Sequence, residues 1–472
     1  MKTITRILAV GLLTLVFTVA GLHIASRILT PKGEAEKFYD EPRGTVDVLV
    51  VGSSHSMSGI SPVQIYEQTG LTAYNLSTWS QPVWVSYHYI QEALRTQKPQ
   101  VVVLDVFGAF YDKSYLTGVD TDLVSDDYAS MLRPSWNLLR LNLARRSTQV
   151  TRKTWDEYFN ITKYHSRLDR LEKKDFAAVF KNDYSTGKGY GPMYVTEDFS
   201  GFVPAVSDRC EPLYGPAAEY LQKIVELSQK KGFQLVFVKV PYITEERDAA
   251  LLNTVREFAA QRNIPFVDCC STNAAGLDYG TDMADHGHVN YRGAGKVTAV
   301  LARQLQSMGL SVRHTEKTEA LWAQAVQTEN DSLMKMDIRL TAELAEKLEK
   351  IEAHEISAVA AVMQGPLSPQ DRAAVEELLR GTVLEPFAAA EHGACAVYSD
   401  DLLNGDAAER WLEEQGVEVR ENGDGTLSLL HGGEDRSFRM TGLNLLLFDT
   451  QTGELYQSVA FGREYGFEQF TG

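Results

Sequence analysis

Short, almost wholly apolar runs recur along the first two thirds of this chain, and each is followed by a stretch of helical character. The segment 46–51 (Val-Asp-Val-Leu-Val-Val) ends at Gly52, 101–107 is comparably apolar, and 234–240 and 264–268 repeat the pattern. Runs of this length without polar alternation read as strands buried on both faces, the condition of a parallel sheet covered by helices. The helices come from the intervening segments 61–69, 83–96, 216–231, 245–262 and 293–308; Ser61 caps the first and Pro62 opens it. With 72–76 as a further strand, the pattern predicts an α/β domain with a parallel sheet between two helical layers. Ligands of such sheets gather beyond the carboxyl ends of the strands, so the chemistry is sought there.

Between the third and fourth strands the alternation is interrupted over 108–214. A connection this long inside a compact domain is a lid, a small subdomain or a solvated helical insert. Residues 131–190 hold 13 basic and 6 acidic side chains, which suits an anionic wall polymer or phospholipid headgroups. Over the whole chain 46 Lys and Arg face 63 Asp and Glu, a net charge of −17, yet the first 310 residues balance and the entire surplus lies after them. That step divides a domain over 46–312 from an acidic α+β accessory domain over 313–472. The latter reads as helical over 315–352, 368–379 and 407–415, with an apolar segment at 356–363 and strands at 417–420 and 427–430. A β-hairpin closes it, 443–448 and 454–461 about the turn 449–453. With 44% hydrophobic residues, wholesale disorder is excluded. The absence of a basic surplus excludes a dedicated nucleic-acid binder.

Residues 1–30 stand apart. Lys2 and Arg6 precede an apolar run from Ile7 to Leu22 that continues to Ser26 before Arg27, long enough to cross a bilayer with its short basic side in the cytoplasm. The segment reads as an uncleaved signal-anchor, a single-pass membrane helix, with a cleaved signal peptide as the alternative. Both readings place the chain after a linker at 31–45 outside the cytoplasm. Four cysteines, Cys210, Cys269, Cys270 and Cys395, form no metal-binding spacing. Cys210 could bridge to Cys269 or Cys270, and free thiols suit the sequence equally.

Two segments carry the chemistry. Gly52-Ser53-Ser54-His55 follows the first strand, and Gly52 permits a tight turn that presents a serine at the sheet edge. Asp285-His286-Gly287-His288 lies in the loop before the last helix, where Asp285 and His288, three residues apart, can meet. A serine hydroxyl needs a base to take its proton, and the base needs a carboxylate to hold its tautomer. These segments resemble the SGNH, or GDSL-type, hydrolase superfamily over residues 46 to about 310. The resemblance implies a flavodoxin-like three-layer fold and a catalytic Ser54, His288 and Asp285. Gly52, His55, Asn75 and Ser77 would line the oxyanion and substrate side of the site, Asn75-Leu76-Ser77 standing where the family's second block supplies a backbone oxyanion donor. Ser77 there departs from the usual glycine, although any backbone N–H can serve. The third block, Gly-x-Asn-Asp, has no counterpart after 101–106, so the side-chain oxyanion donor is unassigned.

Within the superfamily the chain looks similar to membrane-anchored extracytoplasmic members of Gram-positive cell envelopes. Among these are the D-alanyl-transfer protein of lipoteichoic acid synthesis and partners of membrane-bound O-acyltransferases. The expectation is an extracytoplasmic serine esterase or O-acyltransferase acting on acetyl-like esters of cell-surface carbohydrate or wall polymer. The alternative is a catalytically weak binding or assembly partner of a membrane-bound acyltransferase. Neither reading calls for a metal or a cofactor.

Overall fold

A computed structural model describes residues 2–31, 37–117, 138–151, 154–177, 184–398, 401–438, 441–462 and 470–471. Residues 32–36 of the expected linker lie outside the described residues, as do 118–137, 152–153 and 178–183 of the expected insertion. The chain divides into two units, Met1–Glu329 and Asn330–Gly472.

The first unit opens with α1 (Lys2–Leu29), whose span Ile4–Leu29 is long and apolar enough to cross a membrane. Beyond it five parallel strands alternate with helices: β1 (Val48–Val51), α2 (Ser54–Gly59), α3 (Pro62–Thr69), β2 (Ala73–Asn75), α4 (Val83–Ala93) and β3 (Val101–Asp105). A short helix α5 (Lys113–Thr117) begins the insertion, which continues through α6 (Leu138–Val150), α7 (Asn160–Tyr164) and α8 (Lys173–Ala177). The alternation resumes with α9 (Gly215–Lys231), β4 (Gln234–Lys239), α10 (Glu246–Ala260), β5 (Phe266–Asp268) and α11 (Tyr291–Ser307). The sheet order is β2-β1-β3-β4-β5, all parallel.

Strand side chains alternate between faces, and both faces here are apolar. Leu49, Val51, Val102, Leu104 and Phe237 pack with α4, α9 and α10; Val48, Val50, Val101, Val103, Val236 and Val238 pack with α3 and α11. Each such side chain contributes roughly 1.5–3 kcal/mol on burial, which is why apolar residues dominate these runs. Helix ends follow local chemistry. Ser61 accepts the Gln64 N–H to cap α3, and Gly70 ends it with φ of 73°. Asn290 caps α11 by accepting from Arg292 and Gly293, and Val297, Leu301 and Leu305 form its buried stripe.

In the second unit a six-stranded antiparallel sheet has the order β14-β13-β12-β6-β7-β8, with a separate three-stranded β11-β10-β9. These strands are β6 (Ser357–Gln364), β7 (Gly393–Tyr398), β8 (Asp401–Asn404), β9 (Val417–Glu421), β10 (Leu427–His431), β11 (Glu434–Asp435), β12 (Gly442–Asp449), β13 (Leu455–Gly462) and β14 (Phe470–Thr471). The β12–β13 hairpin turns where Asp449 Oδ1 accepts the N–H groups of Gln451 and Thr452 and Gly453 takes φ of 70°. The stretch 315–352 is two helices, α12 (Glu316–Leu340) and α13 (Leu344–Glu352), rather than one. The α+β character matches the expectation.

Candidate active site

In the order β2-β1-β3 the chain leaves β1 toward one edge and returns to β3 on the other side, so a crevice opens between the carboxyl ends of β1 and β3. Ser54 stands there as the first residue of α2. Ser53 caps this helix by accepting the His55 N–H at 3.3 Å. A first-turn N–H has no partner inside its own helix, which leaves the Ser54 N–H as a donor at the base of its own side chain.

Ser54, His288 and Asp285 are brought together. Ser54 Oγ lies 2.8 Å from His288 Nε2, and His288 Nδ1 lies 2.9 Å and 3.1 Å from the two oxygens of Asp285. Because a carboxylate only accepts, Nδ1 carries the proton and Nε2 presents its lone pair to the serine hydroxyl. The loop holding this pair is tied from several sides. Asp285 Oδ1 also takes the Gly287 N–H at 2.7 Å, and Ala284 N–H reaches the His288 carbonyl at 2.9 Å. Asp282, 2% exposed, accepts from Lys296 and from the Asp278 N–H. Gly293 follows so closely that a Cβ there would sit 2.4 Å from the Asp282 carbonyl.

The remaining predicted residues are placed differently from the expectation. Gly52 is a matter of space rather than of a glycine-only φ. An added Cβ would come within 2.5 Å of both Asp105 Cβ and Ser56 Oγ, and Gly52 is not among the positive-φ residues. Asn75 does not project toward a ligand. Its Nδ2 donates to the carbonyls of Ser56 (2.7 Å) and Ile60 (3.1 Å), clamping the end of β2 to the middle and the C-terminal end of α2. Its Oδ1 accepts the Ser77 N–H at 3.1 Å. The backbone donor expected at Ser77 is therefore already engaged, and the Ser77 hydroxyl accepts from Ser56 Oγ at 2.8 Å. These two residues build the floor of the crevice instead of lining it with free donors.

His55 turns away from the serine into an aromatic layer. Its ring stacks on Phe107 at 3.7 Å between centroids, meets Tyr242 edge-on at 5.0 Å and lies 5.2 Å from the His288 ring. Burial, then the charge of Lys239 and the neighbouring histidines, holds its pKa well below the usual 6.5, so the ring is neutral. Lys239, fully buried, donates to the Val240 carbonyl at 3.0 Å and lies over Tyr242 and Phe107 at 4.0 Å and 4.6 Å. Desolvation lowers its pKa, and that of the Tyr242 hydroxyl is raised by burial first and then by Asp248.

Two contributors were not anticipated. Asp105, the last residue of β3 and 1% exposed, accepts at Oδ2 from Ser53 N (3.2 Å) and Ser53 Oγ (2.8 Å), and at Oδ1 from Phe107 N (3.2 Å). The available signal was an acid closing an otherwise apolar strand. Trp79, 42% exposed, meets the His288 ring edge-on at 5.5 Å and forms one wall of the opening. The returning end of the insertion braces the crevice: Gly191 N–H bonds to the Met57 carbonyl and Tyr291 N–H to the Met193 carbonyl. Gly189, with φ of 87°, passes so close to Asn75 that a Cβ would lie 2.0 Å from its carbonyl oxygen. Among the described residues no group of three or more His, Cys, Asp or Glu side chains is arranged to hold a metal ion. The four cysteines are free, with Cys210 exposed and the other three buried.

No family model matches the sequence, and no curated protein does. Solved structures similar to this chain include the lipase/acylhydrolase from Enterococcus faecalis, at 12% identity over 57% of this chain and 100% of that one, with a TM-score of 0.28. A GDSL-like lipase from Bacteroides thetaiotaomicron is similar at 10% identity over 55% of this chain and 88% of that one, also with a TM-score of 0.28.

Proposed function

We propose that the chain is a serine esterase or O-acyltransferase of the SGNH type, held at the membrane by α1 and acting outside the cytoplasm on acyl esters of cell-surface carbohydrate or wall polymer. The observation that carries this reading is the unbroken series Ser54 Oγ, His288 Nε2, His288 Nδ1 and Asp285 at hydrogen-bond distances. Ser54 Oγ attacks the ester carbonyl while His288 Nε2 takes its proton, and Asp285 holds the imidazolium that forms. The oxyanion gathers at the Ser54 N–H. Collapse expels the alcohol, which receives the proton from His288, and leaves the acyl group on Ser54. A second hydroxyl, deprotonated in turn by His288, attacks that ester: water releases the acid, whereas a sugar or polyol gives a transferred ester. The test is the purified full chain with acetyl esters and a fluorophosphonate probe. Labelling that vanishes in Ser54→Ala supports the reading, and a folded wild type that neither labels nor turns over ester removes it.

A second reading is favoured by the oxyanion side. Ser77 N–H is occupied by Asn75, and Asp105 at the end of β3 can only accept. The loss of one oxyanion donor typically costs ~10²–10³ in rate. An assembly partner of a membrane-bound acyltransferase would tolerate that. In the host, Ser54→Ala with unchanged surface acylation, beside loss on deletion of the whole protein, would establish the partner role.

A further inference from the structure

The insertion packs against the end of α1. From Ile4 to Ile24 the large apolar side chains of α1 are exposed, whereas Ser26, Leu29 and Thr30 are buried. Those 21 residues rise ~30 Å at 1.5 Å each, the thickness of a hydrocarbon core. The burial begins where that length ends, and α7, α8 and the 3₁₀ turn His165–Arg170 are what α1 contacts there. Arg167 fastens the junction, donating to the Leu29 carbonyl and to Asp175 Oδ1, the latter at 2.9 Å. This part of the insertion therefore lies within about one helical turn of the headgroup level. There it exposes large apolar side chains: Leu168 at 64%, Phe176 at 50% and Trp155 at 47%. Lys163 and Lys173 fall in the same stretch of the sequence. Exposed apolar groups interspersed with Trp, Lys and Arg are what an element lying in a membrane interface presents.

We propose that residues 155–177 are a membrane seat, with Leu168, Phe176 and Trp155 entering the bilayer interface beside α1; this rests on the reading of α1 as a membrane anchor. The partner is a lipid surface and the attraction is apolar. Residues 155–177 carry five basic and five acidic side chains, and Arg167 with Asp175 and Lys174 with Glu172 are already paired. The basic surplus of the insertion lies outside this stretch, so anionic headgroups are not what holds it. The seat also sets how the catalytic edge stands. His23 of α1 lines a cavity with Arg43, Arg95 and Thr96, at the amino ends of β1 and β3, whereas Ser54 lies at the carboxyl ends. Strands of four and five residues, β1 and β3, separate the two edges by about 13–17 Å.

The test uses the full chain in lipid nanodiscs, with Cys210→Ser removing the exposed thiol and Leu168→Cys, Phe176→Cys, Val203→Cys or Val10→Cys carrying an environment-sensitive fluorophore. Val203 is 79% exposed on a segment bonded to Thr244, beyond the carboxyl end of β4. Brominated lipid is expected to quench the labels at positions 168 and 176 by roughly twofold or more, as befits side chains 5–10 Å into the interface. That quenching should be equal in phosphatidylcholine and in phosphatidylglycerol-containing discs, with position 203 unaffected. Labels at 168 and 176 as bright as at 203 would overturn the seat. So would quenching confined to anionic discs, or quenching abolished by soluble polyglycerol phosphate, which would assign the face to a polymer. The label at position 10 reports α1 itself: if it too stays bright, the anchor reading has failed and the seat falls with it. Two independent positions keep the outcome readable if one variant folds poorly.

Discussion

Asp105→Asn should separate the support of the proposed nucleophile, Ser54, from Ser54 itself. The carboxylate is 1% exposed and accepts four hydrogen bonds, two from Ser53, one from Phe107 N–H and a long one of 3.4 Å from Ser56 Oγ. An amide of the same shape can keep one accepting oxygen, but its NH₂ then faces a donor. If Oδ1 is kept toward Phe107, the amide opposes both the N–H and the O–H of Ser53. Weakening these bonds and stranding a buried donor together costs about 2–4 kcal/mol. At about 2–4 °C per kcal/mol for a domain of this size, the melting temperature should fall by roughly 5–15 °C. Activity should suffer more than stability implies, since Ser53 immediately precedes Ser54 and a displacement of ~1 Å can cost ~10² in rate. The assay is acetyl-ester hydrolysis beside a thermal melt, with KM and kcat separated and fluorophosphonate labelling rates followed in parallel. Expected are a kcat lowered by ~10–100-fold and a KM changed little. A double-mutant cycle with Ser53→Ala assigns the effect, because part of the Asp105→Asn penalty should disappear when the Ser53 hydroxyl is already absent. A folded Asp105→Asn enzyme with wild-type melting temperature and wild-type kcat would refute the reasoning.

Three further outcomes follow from the geometry. Asp285→Asn keeps the shape of the loop but removes the carboxylate that fixes Nδ1–H on His288, so kcat for ester hydrolysis should drop by ~10³–10⁴ with a wild-type melt. Gly52→Ala forces a methyl to within 2.5 Å of Asp105 Cβ and Ser56 Oγ; overpacking of this kind costs ~1–3 kcal/mol, and loss of probe labelling should accompany the lowered melting temperature. Glu329, bonded to Ser61 and raised by burial to about 7 from 4.5, binds its proton more tightly folded than unfolded. Its contribution is present below about pH 4.5 and lost as pH rises to about 7, so Glu329→Gln should flatten the decline in stability over that window, as urea titrations at pH 5 and pH 8 would show.

The parts legible from the sequence share one property: their cause lies within a few residues of where it acts. Strands buried on both faces are apolar over most of their length, so β1, β3 and β4 are visible as runs. The pairing of Asp285 with His288 spans three positions and needs only one loop. The Ser61 cap and the Asp449–Gly453 turn are equally local. What escaped depends on partners far apart in the chain. Asp105 acts on Ser53 from 52 residues away, and nothing near it announces the two donors it must satisfy. Asn75 looks like a candidate ligand group until the carbonyls of Ser56 and Ile60 are seen to take both its protons. The helix Ser54–Gly59, Ser-His-Ser-Met-Ser-Gly, has little helical propensity; the Ser53 cap and the Asn75 clamp hold it. In the second unit β7, Gly-Ala-Cys-Ala-Val-Tyr, was not anticipated, because small residues give neither alternation nor bulk to mark a strand. The break at 341–343 between α12 and α13 likewise follows no glycine or proline signal.

The insertion links the two ends of the first unit. It leaves at the carboxyl end of β3, just after Asp105 and Phe107, and α6 packs along α4, where Trp84 Nε1 bonds Ser147 Oγ at 3.1 Å. Its middle meets α1, and its return passes under the crevice, where Lys188 pairs with Glu41 with both side chains buried and Gly189 bears on Asn75. Asn75 in turn holds the middle and the C-terminal end of the helix that carries Ser54. The residues that fasten the insertion to the Ser54 helix are thus buried and paired, whereas those proposed to meet lipid are exposed. A change at Leu168 or Phe176 should therefore alter how the chain sits on a bilayer and leave hydrolysis of a small soluble ester unchanged. A change at Gly189 should do the reverse, since any side chain there must push Asn75 and, through it, Ser54. Measuring both properties on both variants decides whether the insertion acts as a membrane support, as a brace for the site, or as the single element serving both that its path implies.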